Sequence, residues 1–128
     1  MNSVFGSLFI VSTPLGNLKD ITLRALDIMK NSYLIAAEDT RKSQILLKEY
    51  KIKTKMISYH EHNSHNRIKT IIAHLKDGKN ISLISDAGTP GISDPSYRLI
   101  RNAIENEISV SSIPGPSAFL TALTSSGL

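Results

Sequence analysis

The chain has 128 residues, of which 41% are hydrophobic, enough to bury one core and too few for two ordinary domains. It has no cysteine, which excludes disulfides, thiolate zinc sites and thiol catalysis and fits a reducing compartment. No apolar run approaches the roughly 18–20 residues that span a bilayer, and no secretory signal opens the chain, so a soluble, cytoplasmic protein without a membrane partner is expected. The net charge of +4 suits an anionic partner such as RNA without specifying one.

In chain order, five short β-rich apolar runs alternate with stretches of helical period, at Leu8–Ser12, Tyr33–Ala37, Lys55–Tyr59, Ile81–Ser85 and Ser109–Ile113. That alternation predicts an α/β fold, a parallel-type five-stranded sheet flanked by helices. Asp20 before Ile21–Lys30 and Asp39 before Arg41–Tyr50 each offer a carboxylate to the open amides of a helix start. Ile68, Ile71, Ile72 and Leu75 form one apolar stripe on a helix that Gly78 ends, with Asn63 or Ser64 as its cap. Asp94-Pro95 opens a further helix, and a last one begins near Pro116 and stops around Gly127.

In an open α/β sheet, ligands bind beyond the C-terminal ends of the strands, so the turns that follow the apolar runs are the natural site candidates. Thr13-Pro14-Leu15-Gly16-Asn17 is a tight turn whose amides can approach a ligand, although it also serves as a plain strand-to-helix connection. Glu38-Asp39-Thr40-Arg41 sets two carboxylates and a guanidinium at a strand end. Asp39 and Thr40 are explained by helix capping, whereas Arg41 opposes the helix dipole and suits a phosphate or an ion pair.

The richest turn is Ser85 to Pro95, in which two glycines and two prolines fix an unusual backbone path around a concavity. It lacks the Gly-Lys-Ser/Thr ending of a nucleoside-triphosphate loop and the Gly-x-Gly-x-x-Gly of a dinucleotide fold. Ile113 to Ala118 is a rigid Pro-Gly-Pro turn that places Ser117 in the first turn of the last helix. Tyr59 to Arg67 carries His60, His62 and His65, but His60 and His62 point to opposite sides of an extended segment. No acidic or cysteine partner stands at ligand spacing, so no metal is expected there.

In order and spacing, Val11–Leu18 with Asp20–Thr22, Ala37–Arg41, Ser85–Pro95 and Ile113–Ala118 together closely resemble the bacterial small-subunit ribosomal RNA methyltransferase I family, of the tetrapyrrole-methylase superfamily. The resemblance covers nearly the whole chain. It implies S-adenosyl-L-methionine as cofactor and methylation of the 2′-hydroxyl of a cytidine ribose in 16S ribosomal RNA, by in-line attack of that oxygen on the methyl carbon. Relatives fold as two α/β domains with the cofactor in the cleft between them, and commonly form homodimers. This chain is similar to the first domain alone, residues 1–128, so the second domain would be absent and the isolated chain is not expected to catalyse.

Carried over by motif, Gly88, Thr89, Pro90, Gly91 and Ile92 would touch the methionine and ribose portions of the cofactor, with Leu15, Ser117 and Ala118 making further contacts. Many tetrapyrrole methylases carry aspartate where Thr89 stands here, so hydrogen bonding at that position should differ. Candidates for removing the hydroxyl proton are Glu38, Asp39 and His60, with Arg41 as partner to phosphate or carboxylate. Two alternatives accompany this reading: a same-fold methylase acting on a porphyrin, corrin or diphthamide precursor, and a non-catalytic RNA-binding or assembly module.

Overall fold

The computed structural model describes residues 4–91 and 95–128. Strands and helices alternate throughout: β1 (Leu8–Val11), α1 (Leu23–Asn31), β2 (Leu34–Ala37), α2 (Thr40–Glu49), β3 (Lys55–Ser58), α3 (Ser64–Lys76), β4 (Ile81–Ile84), α4 (Ser96–Glu105), β5 (Val110–Ile113) and α5 (Ala118–Ser125). The strands form one sheet in the order β3-β2-β4-β1-β5, and every pair in it is parallel. Each expected strand is present, one residue shorter than the apolar run that predicts it: β1, β3 and β4 lose theirs at the C-terminal end and β2 and β5 at the N-terminal end.

Alternation along the strands divides the core between the two faces of the sheet. Leu34, Ala36, Ile81 and Leu83 join Ile71, Ile72 and Leu75 of α3 and Leu99 and Ala103 of α4 on one face. Ile35, Ala37 and Ile84 join Ala25, Leu26 and Met29 of α1 and Leu46 and Leu47 of α2 on the other. Because β2 and β4 are covered on both faces, all four residues of each are buried, as expected of central parallel strands. The last helix differs: α5 buries none of its residues, and Phe119, Leu120 and Leu123 stay exposed.

Helix starts are where residue order misleads. The cap of α1 is Thr22, whose hydroxyl accepts from the Ala25 amide at 3.0 Å, and not Asp20, which lies exposed two residues upstream. An extended backbone at Thr22 (φ −81°, ψ 152°) aims its side chain along the axis, which is the geometry a cap needs. Asn63 occupies the cap position of α3 without a side-chain bond to the helix, since its carbonyl oxygen accepts from the His60 amide instead. Ser64 is the first helical residue, and its hydroxyl donates back to the Glu61 carbonyl. Pro95 stands at the cap position of α4, one residue earlier than a first-turn proline, and Asp94 lies outside the described residues. Asp39 caps α2 as its sequence position predicts, accepting from the Arg41 amide at 3.0 Å.

Candidate functional site: the crevice beyond β1, β4 and β5

Helices α1 and α2 cover one face while α3 and α4 cover the other, so the chain leaving β1 turns to the opposite side from the chain leaving β4. Adjacent strands whose connections part in this way open a crevice at their C-terminal ends. Here the crevice is bridged at its base. Thr13 and Gly88 exchange amide-to-carbonyl hydrogen bonds of 2.9 Å in both directions, which locks the two loops together beyond the last ladder pair.

Three loops then meet through a chain of hydroxyls. Ser12 Oγ lies 2.6 Å from Thr89 Oγ1, and Thr89 Oγ1 donates to the Pro116 carbonyl at 3.1 Å. Thr89 has a single hydroxyl proton, already directed at Pro116, so Ser12 is the donor in the first bond. A carboxylate at position 89 has no proton for that carbonyl, which is the physical difference an aspartate would make. Close backbone approach completes the junction: a Cβ on Gly115 would sit 2.7 Å from Ser12 Cβ, so only glycine fits there. Gly88, at φ +79°, adopts a left-handed conformation, and a Cβ on it would lie 3.0 Å from Leu15 Cδ2.

Two depressions flank Leu15. The larger, about 720 Å³, lies between the first turn and the Gly115–Thr121 segment, with Leu15, Gly16, Pro116, Ser117 and Leu120 on its walls. Its size is within the range of small-molecule sites. The smaller, about 240 Å³, is bounded by Thr13–Gly16, the Ser85–Ala87 turn and the α2 residues Lys42, Ser43 and Leu46.

Of the residues expected to hold a cofactor, the structure gathers Leu15, Gly88, Thr89 and Ser117 around this junction. Pro90 is buried and Gly91 half-buried in the same turn, and Ala118 is the exposed first residue of α5. Ile92 lies outside the described residues. Ser117 is not in the first turn of α5 but is its cap, its hydroxyl accepting from the Leu120 amide at 3.4 Å. That bond occupies one lone pair and leaves the hydroxyl proton available to a ligand.

The four polar candidates are not equivalent in position. Glu38 and Asp39 follow β2, next to β4, and the Asp86 carboxylate links the two loops by accepting from the Asp39 amide at 3.1 Å while pairing with Lys42 at 3.6 Å. The hydrogen bond from the Arg41 amide, reinforced by the Lys42 backbone and by the charges of Arg41 and Lys42, holds the Asp39 carboxyl below its ordinary range against a smaller desolvation effect. Arg41 itself reaches into solvent, its side chain 92% exposed, with Nε 3.6 Å from Asp39. An exposed pair of this kind contributes little to stability. His60 follows edge strand β3, three strand spacings from β1, or about 14 Å. Its Nδ1 is buried without a hydrogen-bond partner among the described residues, while Nε2 lies 3.3 Å from Asn63 Nδ2.

Ser12, Asp86, Gly115 and Pro116 are junction residues that the motif reading quotes without assigning them a role. Ser12 had one visible signal, a hydroxyl closing an otherwise apolar strand. The pairing of Asp86 with the turn after β2 depends on strand order, which no local pattern encodes. Among the described residues no group of three or more His, Asp or Glu is placed to hold a metal, and no helix is long and apolar enough to cross a membrane.

Compared with known proteins, residues 7–128 match the family model described as Tetrapyrrole (Corrin/Porphyrin) Methylases. Among curated proteins, the chain is 52% identical to a ribosomal RNA small subunit methyltransferase I of Mesorhizobium japonicum, over 95% of this chain and 42% of the relative. It is 50% identical to the protein of the same name from Halalkalibacterium halodurans, over 96% of this chain and 43% of the relative. The chain thus spans about two fifths of the length of these relatives. Among solved structures, uroporphyrin-III-C-methyltransferase from Thermus thermophilus superposes with a TM-score of 0.71 over 96% of this chain and 53% of that one, at 16% identity, a likeness of fold alone.

Proposed function

Because the chain belongs to the tetrapyrrole (corrin/porphyrin) methylase family, we propose that it contributes the cofactor-binding half of an S-adenosyl-L-methionine-dependent methyltransferase that modifies small-subunit ribosomal RNA. The target in this reading is the 2′-hydroxyl of a cytidine ribose. The observation that carries it is the junction of Ser12, Thr89 and Pro116 beside a cavity of about 720 Å³, formed from the very turns that resemble the family's motifs. Relatives near 50% identity support RNA as acceptor over a tetrapyrrole, since the porphyrin enzyme shares only 16%.

The residues present fit a sulfonium nucleoside. Gly88 and Gly115 keep side chains out of the junction, Leu15 and Leu120 supply apolar wall, and the Ser117 hydroxyl offers a polar contact. When bound, S-adenosylmethionine supplies a methyl group already activated by positive sulfur. What remains for the protein is to align the acceptor and to take its proton. Asp39, capping α2 with its pKa lowered, is a weak base and serves to position Arg41, whose exposed guanidinium suits an RNA phosphate. Glu38, half-buried beside the β4 turn, is the proton acceptor favoured by its position, while His60 is on the far edge of the sheet.

In this proposal the additional length of the relatives forms a second domain that closes the cleft over the cofactor, in an enzyme that works in the cytoplasm as a homodimer. The test is transfer of labelled methyl to small ribosomal subunits lacking the modification, by the chain extended to its relatives' length. Label recovered as 2′-O-methylcytidine is expected. Label on a base, or on no RNA at all, would contradict the assignment.

A further inference from the structure

A concentration of positive charge lies away from the junction, in a groove of about 690 Å³ between α2 and edge strand β3. Leu47, Ile52 and Met56 form part of its lining, and its rim carries Arg41, Lys48, Lys51, Lys53 and Lys55 with no carboxylate among the lining residues. The four lysines make no ion pair among the described residues, and all four are exposed. Thr40 and Arg41 stand at the start of α2, on the rim that bears the candidate site, whereas Lys51 and Lys53 lie at the opposite rim. Helix α2 has ten residues, so the groove follows the sheet for about 15 Å and opens at one end beside the crevice.

Edge-strand lysines commonly guard against pairing with another sheet, which would account for Lys55 alone. Guarding does not explain why Lys48 of α2 and Lys51, in the turn just past that helix, line the same concavity. Nor does it explain why Lys53, which precedes β3, joins Lys55 on the same rim. Glu49 is the nearest carboxylate in sequence on α2 and is absent from the lining, and Asp39 is engaged with Arg41.

We propose that this groove is a track for the sugar-phosphate backbone of the RNA, leading a single-stranded acceptor segment toward Arg41 and the crevice. The proposal rests on the RNA-methylating reading above and adds where the substrate lies. Contacts of this kind are sequence-independent and release counterions, so binding should depend steeply on salt.

The test uses a fluorescent single-stranded uridine dodecamer and the chain carrying Lys51→Gln, Lys53→Gln and Lys55→Gln, with Lys69→Gln and Lys76→Gln at exposed positions of α3 as the control. The groove variant should bind RNA at least tenfold more weakly, with a salt dependence shallower by about 2 in logarithmic slope, given about 0.7 per single-strand phosphate contact. The control should lose less than threefold. Unchanged RNA affinity in the groove variant, with or without new self-association, would overturn the proposal. An equal loss in the control would do so too, since it would reduce the effect to net charge. Stronger binding of the unmodified chain to vesicles containing phosphatidylserine than to RNA would make the groove a membrane surface instead. Titration of both proteins with S-adenosylhomocysteine separates the two readings: no binding to either, beside a selective RNA loss, would sink the cofactor assignment and leave the track standing.

Discussion

Thr13 and Gly88 pair antiparallel across the mouth of two parallel strands, each amide 2.9 Å from the other residue's carbonyl. The chain leaving β4 therefore reverses before it reaches the crevice, and the left-handed φ of +79° at Gly88 is what permits the reversal. Gly88→Ala adds strain at that φ and a contact 3.0 Å from Leu15 Cδ2. A loss of about 1–2 kcal/mol in urea unfolding is expected, with weaker S-adenosylhomocysteine binding by calorimetry.

Thr89→Val removes the hydroxyl that links Ser12 to Pro116 while keeping its shape. Two part-buried polar groups lose their partner, so a destabilisation of about 1–2 kcal/mol is predicted, with Thr89→Ser close to the parent. Urea unfolding of the pair checks this; equal stability for valine and serine would mean the hydroxyl chain is not maintained in solution.

Thr22→Ala should cost about 1 kcal/mol because it removes the side-chain cap of α1, whereas Asp20→Ala should change stability by less than about 0.5 kcal/mol. Thermal or urea melts of the two variants decide between them. The opposite order would restore Asp20 as the cap.

How far the sequence reveals the structure follows from these cases. Strand positions were legible because β2 is apolar at every residue and β4 at all but Ser82, the short continuous apolar run expected of a strand covered on both faces. The cap of α1 was not, because Asp20 and Thr22 are both competent and the turn between them decides. The four motif turns announced a site. Yet the sheet order that joins the turns after β1, β4 and β5 and carries His60 to the far edge is a long-range property, and local spacing cannot encode it. The α2 groove was visible only as alternating lysines, which look like a solvated segment until α2 is packed beside them.

Asp39 gives a pH dependence with a defined sign. Its pKa is lower in the folded chain, so its ionised cap stabilises the fold fully above the carboxyl's unfolded pKa, and this contribution is lost as pH falls through the folded value. Acid unfolding followed by circular dichroism should be less steep in that window for Asp39→Asn, which retains a capping oxygen without a titrating charge. An unaltered acid profile would show that Asp39 does not carry this dependence.

Lys51 sits at φ 54° just past the α2 C-cap, a left-handed position that favours glycine. Lys51→Gly is therefore predicted to stabilise the chain by about 0.5–1 kcal/mol while weakening RNA binding. Changes of opposite sign in melting temperature and RNA affinity would show that the lost affinity is not a folding defect.

The most direct measurement is amide chemical-shift mapping of the chain by nuclear magnetic resonance during titration with S-adenosylhomocysteine to millimolar concentration, which registers even weak binding. Shifts concentrated at Leu15–Gly16, Gly88–Thr89 and Gly115–Ala118 are predicted. An unperturbed spectrum, or shifts gathered along α3 and α4 instead, would contradict the account.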